Sequence, residues 1–334
     1  MATIKDIAAK LGISSGTVSK GLNGASDISE PMRQAVLHAA VELGYKPKNI
    51  VNKASKKVCI FVQNMNYESI DQFGYEIIYG FEQEALSKGF QVTVISANLN
   101  MQTKESFDTY MLRHGYPGAF LLDFELHDDY VTQMHTTKVP TVLLNNHVPG
   151  NPHVGYVGTD NYEGLKDITS HLHELGHRNI AFLNGTKNSM ITQKKLDAFY
   201  YAMKEKKIPI RDKLVAFGHY NIDCAQEFVP DFVRNGATAI ICASDFIASG
   251  VIKVLHSMGL RVPEDVSVTG YDDLPIARFL SPALTTIRQN RTDLGKSAFL
   301  LLDALMNGIA ISRIELCPQF IARDSAAQVK TLGK

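Results

Sequence analysis

From residue 58 onward, short apolar runs alternate with helical patterns, and that alternation leaves few folds open. Val58–Gln63, Gln91–Ser96, Ala119–Asp123, Thr141–Asn145, Asn179–Asn184, Leu214–Phe217, Ala239–Ala243 and Val266–Gly270 read as strands. Glu76–Lys88, Leu165–Leu175, Lys194–Lys206 and Ile247–Met258 read as helices between them. Strands separated this way pair in parallel, and parallel sheets require helices on both faces. The series is long enough for two such sheets. A length of 334 residues also exceeds what one core usually supports, so two or more domains are expected. Ligands of open parallel sheets bind beyond the carboxyl ends of the strands. Asn145, Asn184, Ser244, Asp245 and Asp272 occupy such ends.

The formal net charge is zero, but it is unevenly spread. Residues 1–57 hold nine basic side chains (Lys5, Lys10, Lys20, Arg33, Lys46, Lys48, Lys53, Lys56, Lys57) against four acidic ones (Asp6, Asp27, Glu30, Glu42). A small basic head on a larger acidic body points to a polyanion partner for the head alone. A hydrophobic fraction of 45% excludes a disordered chain. No apolar run reaches the roughly 18 residues that would span a bilayer, and the first residues do not resemble a signal peptide. Cys59, Cys224, Cys242 and Cys317 show neither zinc-ligand nor disulfide-framework spacing, which fits a reducing cytoplasm.

The head carries three helix signals. Thr3 and Asp6 have capping-box spacing, Ile4, Ile7, Ala8 and Leu11 share one face, and Gly12 supplies the stop. Ser14 opens a second helix through about Leu22, with Val18 and Leu22 inward, and Asn23-Gly24 breaks it. Ser29 is placed to cap a third, with Pro31 in its first turn and Val36, Ala39, Ala40 and Leu43 as its apolar stripe. Two short helices around a tight turn followed by a third match the helix-turn-helix. The second helix exposes Ser15, Gly16, Ser19 and Lys20, small polar groups and one long donor suited to a major groove. A three-helix protein-interaction module is the alternative on pattern alone.

Several segments resemble the lactose-repressor (LacI/GalR) family of transcription regulators. They include Thr3-Ile4-Lys5-Asp6-Ile7-Ala8, Thr17-Val18-Ser19-Lys20-Gly21-Leu22-Asn23-Gly24 and Leu43-Gly44-Tyr45-Lys46-Pro47. In the body, His171-Leu172-His173-Glu174-Leu175-Gly176-His177-Arg178-Asn179-Ile180-Ala181, Gly270-Tyr271-Asp272-Asp273 and Leu284-Thr285-Thr286-Ile287-Arg288-Gln289 continue it in the family's order. The resemblance implies an all-α helix-turn-helix head (1–46), a hinge (47–57) and a periplasmic-binding-protein-like α/β body (58–330) of two doubly wound parallel-sheet lobes. The first lobe would take about 58–156 and 290–311, the second about 157–289 and 312–324. Ser325–Lys334 is polar and expected to fray.

The same resemblance implies a homodimer on pseudo-palindromic operator DNA, with a small effector held between the lobes. Operator contacts would fall on Thr3, Ser14, Ser15, Gly16, Thr17, Ser19, Lys20, Asn23, Tyr45, Lys48, Asn49, Lys53 and Ala54. Effector contacts would fall on Phe73 in the first lobe, Asn145, Lys195, Ser244, Asp245, Phe246, Asp272 and Gln289. Lys195 stands where the family has Arg, and its point charge cannot reproduce a bidentate fork. Asn145 stands where an Asp is frequent. Ala54 falls at the position of a minor-groove wedge, so a weaker kink, or a register that brings Ile50 or Val51 to the groove, is expected.

Carboxylates and planar amides around a presumed pocket favour a sugar-responsive repressor of a carbohydrate operon. The alternatives are a purine-corepressed or phosphocarrier-coactivated regulator of the same family and, more distantly, a solute-binding receptor. Leu300 and Ala304 sit where a phosphocarrier would want basic residues. No nucleophile, metal or phosphate motif appears, so neither catalysis nor a cofactor is expected. His173 and His177 have the four-residue spacing of metal ligands, but Gly176 interrupts the helix between them.

Overall fold

The structure, a computed structural model, describes residues 2–45 and 56–330. The expectations for Lys48, Asn49, Lys53 and Ala54 therefore lie outside the described residues.

In the head, α1 (Ile4–Leu11) begins with the capping box: Asp6 N–H donates to the Thr3 hydroxyl, and Thr3 N–H donates to the Asp6 carboxylate at 2.7 Å. Gly12, at φ 65°, ends it. Helix α2 (Ser15–Asn23) follows, with Ser14 Oγ accepting from Thr17 N–H at 3.0 Å. Helix α3 (Glu30–Glu42) carries Pro31 in its first turn, but Ser29 makes no side-chain capping bond, contrary to expectation. Ile7, Ala8, Val18, Val36, Ala39 and Ala40 form the head's core. Ile7, Val18 and Val36 are fully buried, each contributing about 1.5–3 kcal/mol, which lets so short a segment fold. The inward face of α2 carries Val18 and Leu22 as expected, Leu22 partly buried against the head's core, and adds the buried Gly21. A Cβ on Gly21 would come within 3.0 Å of Val36, so α2 and α3 approach too closely for a larger residue.

The chain divides into two compact units. The first comprises residues 1–65, 78–157 and 295–314, and the second 66–77, 158–294 and 315 onward. The first contains most of a six-stranded sheet made of β1 (Lys57–Val62), β2 (Gln91–Ser96), β3 (Ala119–Leu122), β4 (Thr141–Leu144), β5 (Val154–Thr159) and β11 (Arg313–Leu316). Its order is β11-β5-β4-β3-β1-β2, with β1 to β5 parallel. Helices α4 (Phe73–Ser87), α5 (Leu99–Lys104), α6 (Phe107–His114), α7 (Asp129–Gln133) and α13 (Arg291–Met306) accompany these strands. Side-chain alternation decides which residues meet which helix. Cys59, Phe61, Leu121 and Leu143 pack with Phe107, Met111 and Tyr130. Phe120 instead stacks on Phe81, whose edge meets Phe299, with ring centroids 5.3 Å apart in both pairs.

The second unit has a four-stranded parallel sheet of β6 (Ile180–Asn184), β7 (Val215–Phe217), β8 (Ala239–Cys242) and β9 (Ser267–Thr269), in the order β7-β6-β8-β9. Helices α8 (Asn161–Glu174), α9 (Met190–Glu205), α10 (Ala225–Arg234), α11 (Asp245–Ser257) and α12 (Ile276–Phe279) cover it. Phe182 stacks on Phe199 at 4.8 Å within the core. An antiparallel pair, β10 (Thr286–Arg288) and β12 (Gln319–Ile321), completes the unit. The expected fraying from Ser325 does not occur over 325–330. Ser325 is fully buried, its hydroxyl donating to Val268 O at 2.6 Å and accepting from Thr285 N–H at 2.8 Å.

Candidate DNA-reading helix and effector site

Helix α2 turns Val18 and Gly21 into the head and leaves Ser15, Gly16, Lys20 and Asn23 exposed, with Thr17 and Ser19 half-buried. The helical period alone produces this separation. Lys20 Nζ is paired with Asp27, whose carboxyl it holds below its usual value. Asn23 Nδ2 donates to Ser19 Oγ at 3.3 Å. Thr3 and Ser14 use their hydroxyls as helix caps. Tyr45 packs against the head's core, and burial raises its phenol pKa.

At the carboxyl end of the second-unit sheet, the loop after β9 carries Asp272 at φ 117° and Asp273 at φ 51°. Left-handed backbone of this kind costs energy and recurs at functional sites. Asp272 Oδ1 accepts from Gln289 Nε2 at 2.6 Å, and its backbone oxygen accepts from Arg291 Nη1 at 3.0 Å. Oδ2 has no hydrogen-bond partner among the described residues. Burial raises the Asp272 carboxyl, opposed by Lys195 and by the Gln289 hydrogen bond. Lys195 is itself buried, donates to Ala243 O at 2.8 Å and sits 3.8 Å from the centre of the Tyr271 ring. Burial lowers its pKa, opposed by Asp272 and Asp245.

Asp245 does not meet the expectation that it fixes an effector hydroxyl: it is fully buried, with Oδ2 accepting from Leu274 N–H at 2.7 Å and Oδ1 from the Thr286 hydroxyl at 2.6 Å. Burial, then the charge of Asp272, pushes its carboxyl well up. Asp245 ties the start of α11 to the next loop and to β10. Ser244 likewise caps α11, its Oγ accepting from Ile247 N–H at 3.2 Å, while Phe246 is half-buried.

Phe73, expected in the first lobe, groups with the second unit, as do Lys195, Ser244, Asp245, Phe246, Asp272 and Gln289. Asn145 belongs to the first unit, at φ 56° just beyond β4. Asn64 and Asp123 take the same left-handed conformation beyond β1 and β3, the neighbouring strands. Burial, then Glu125 and Asp128, pushes the Asp123 carboxyl up to about 6.

Sequence reasoning missed three residues of the second-unit site. The Tyr220 ring lies against Gly185, where any Cβ would collide with it, and its hydroxyl is 3.3 Å from Thr192 Oγ1. Arg291 is buried between Asp272 O and the Glu76 carboxylate. Tyr271 supplies the face beneath Lys195. Only Tyr220 had a legible signal, an aromatic residue three positions past a strand that ends at a carboxyl edge. Asn184 is used structurally, with Nδ2 on Thr192 O and Oδ1 on Gly185 N–H, both at 2.9 Å. The His177 ring lies between Thr238 Oγ1 and Ala327 O, at 2.9 and 3.0 Å.

A helix-turn-helix with an open reading face, joined to two parallel-sheet units bearing polar, left-handed strand ends, defines a ligand-responsive DNA-binding regulator. Two family models agree, one of bacterial regulatory proteins of the lacI family over residues 3–48 and one of a periplasmic binding protein-like domain over 169–326. The transcriptional repressor PurR of Salmonella arizonae is 30% identical over 335 residues, covering 98% of this chain and 97% of its own. The repressor CytR of Escherichia coli K12 is 29% identical over 313 residues, or 92% and 90%. The solved complex of the transcriptional regulator CelR with cellobiose is 27% identical, with a TM-score of 0.71 over 98% of this chain and 100% of its own. A lac repressor dimer bound to operator and an anti-inducer shares the fold, at 23% identity and TM-score 0.69 over 98% and 99%. The chain belongs to the LacI family of bacterial transcription regulators.

Proposed function

We propose that this regulator represses a carbohydrate-utilisation operon from the cytoplasm, as a homodimer on a pseudo-palindromic operator, and that a small sugar changes its operator affinity. The observation that carries the sugar reading is Asp272. Its left-handed backbone and its bond to Gln289 fix one carboxylate oxygen and leave the other without a hydrogen-bond partner among the described residues. A carboxylate beside a carboxamide suits adjacent hydroxyls, which both donate and accept. The Tyr220 ring offers an apolar face for a pyranose. Among related structures, the regulator complexed with cellobiose supports a saccharide. The name PurR among the relatives supports a purine, which is the competing reading. Asp272, Gln289 and Tyr220 are assigned binding, and no chemical turnover of the effector.

Calorimetric titration of the full chain with a saccharide panel and a purine panel tests this reading. At least one saccharide is expected to bind and to shift operator affinity, and Asp272→Asn is expected to weaken it ten-fold or more. Binding confined to purines would overturn it.

A further inference from the structure

Helix α6 of the first unit does more than cover β1 and β3. Phe107 and Met111 point into the sheet core, whereas Leu112 is half-buried and packs against the apolar cluster of the head. Helix α3 answers with a second covered face. Val36, Ala39 and Ala40 meet α1 and α2, while Leu37 is fully buried yet lies outside that cluster.

Charged groups flank Leu112. The Glu105–Arg113 ion pair, 2.5 Å long, brackets α6, and burial holds the Glu105 carboxyl above its usual value against the opposing charge of Arg113, with Glu30 and Arg33 of α3 also acting on it. Arg33 in turn reaches the end of α2: its Nη2 lies 2.9 Å from where a Cβ on Gly24 would stand. Arg33 Nε, Glu105 Oε1 and Arg113 Nε are buried without hydrogen-bond partners. Each such group costs about 1–3 kcal/mol. A contact driven by a few apolar side chains and opposed by unpaired donors and acceptors is weak enough to be made and broken.

We propose that α6 is a docking surface for α3 of this chain's own head, and that docking presets the head for the operator. Docking through α3 leaves Ser15, Gly16 and Lys20 of α2 open, so the docked head is competent to read DNA. A docked head has less orientational freedom to lose on binding, which is how preorganisation raises affinity. The proposal rests on operator binding by the head and is independent of which effector the body takes.

The test uses the full chain with Leu112→Asp, and a duplex that the parent protein selects from a random pool, which establishes DNA reading separately. Deuterium uptake by peptides of α3 is expected to accelerate. Affinity for the selected duplex is expected to fall five- to twenty-fold while its log–log salt slope stays the same, because phosphate contacts are untouched. The milder Leu112→Ala replaces Leu112→Asp if the latter lowers the body's melting temperature. Unchanged α3 uptake and unchanged duplex affinity overturn the proposal, as does an affinity loss accompanied by a shallower salt slope.

Discussion

Asp273 lies between three arginines, with Arg323 at 2.5 Å, Arg288 at 2.7 Å and Arg278 at 3.8 Å. Burial alone would raise its carboxyl, but the hydrogen bonds from Arg323 and Arg288 win and hold it below the ordinary value. Its sequence neighbour Asp272 has only part of that support, and the Asp123 carboxyl has no cation among the causes of its shift. In the folded protein Asp123 keeps its proton up to about 6, whereas the unfolded chain releases it near 3.8. Between those two pH values the folded state binds more protons, so rising pH costs stability, and above about 6 the loss is complete. Asp123→Asn removes the titration. Near neutral pH the variant is expected to be more stable by on the order of 1 kcal/mol, discounted for the solvent that reaches this half-buried group. Urea unfolding from mildly acidic to neutral pH checks this. A parent with no fall in stability across that range, or a variant with the same fall, would show that Asp123 does not hold its proton.

The polar segment after β12 is held in place by hydrogen bonds. Val268 N–H donates to Ser325 O at 2.8 Å, Ala327 N–H to Ser267 Oγ at 3.1 Å and Val329 N–H to Leu175 O at 2.9 Å, so 325–327 is tied to β9 and Val329 to the end of α8. Ser325→Ala removes two buried hydrogen bonds and strands Thr285 N–H, at an expected cost of about 1–3 kcal/mol in the urea midpoint. A midpoint within error of the parent would mean that the segment contributes nothing. Composition could not reveal this, because Ser325-Ala326-Ala327 has no strand period and its partners are distant in sequence. Strands were more legible: Gln91–Ser96 is observed as read, and the seven other strands read lie within two residues, because their apolar runs are bounded by polar or glycine residues, whereas β5, Val154–Thr159, was not read. Helix starts were less legible. Helix α8 begins at Asn161 rather than Leu165, since Asp160 caps it through Tyr162 and Glu163 N–H, and α9 begins at Met190 rather than Lys194. The site divided similarly. Asp272 and Gln289 are placed together, whereas Asp245 became framework because its burial and its hydrogen bonds from Leu274 N–H and the Thr286 hydroxyl are tertiary facts.

On the whole molecule, the second unit leaves apolar side chains uncovered around α11. Phe279 is 85% exposed at the end of α12, Met258 is 40% exposed just past α11 and Ile222 is 38% exposed in the turn before α10. The backbone of that turn lies against α11 at Gly250, where a Cβ would strike Ile222 O. Phe279, the most exposed of them, is a candidate position for a self-association surface. A single head reads only a few base pairs, so a two-fold dimer across half-sites one or more helical turns apart supplies the remaining affinity. Phe279→Asp would place a charge in that surface. Sedimentation of the parent at micromolar concentration is expected to give a dimer and that of the variant a monomer. Affinity for the palindromic operator should then fall more than ten-fold, while affinity for an isolated half-site stays unchanged because α2 is untouched. A variant that remains dimeric would move the self-association surface away from Phe279. Loss of half-site binding along with palindrome binding would trace the defect to folding rather than to assembly.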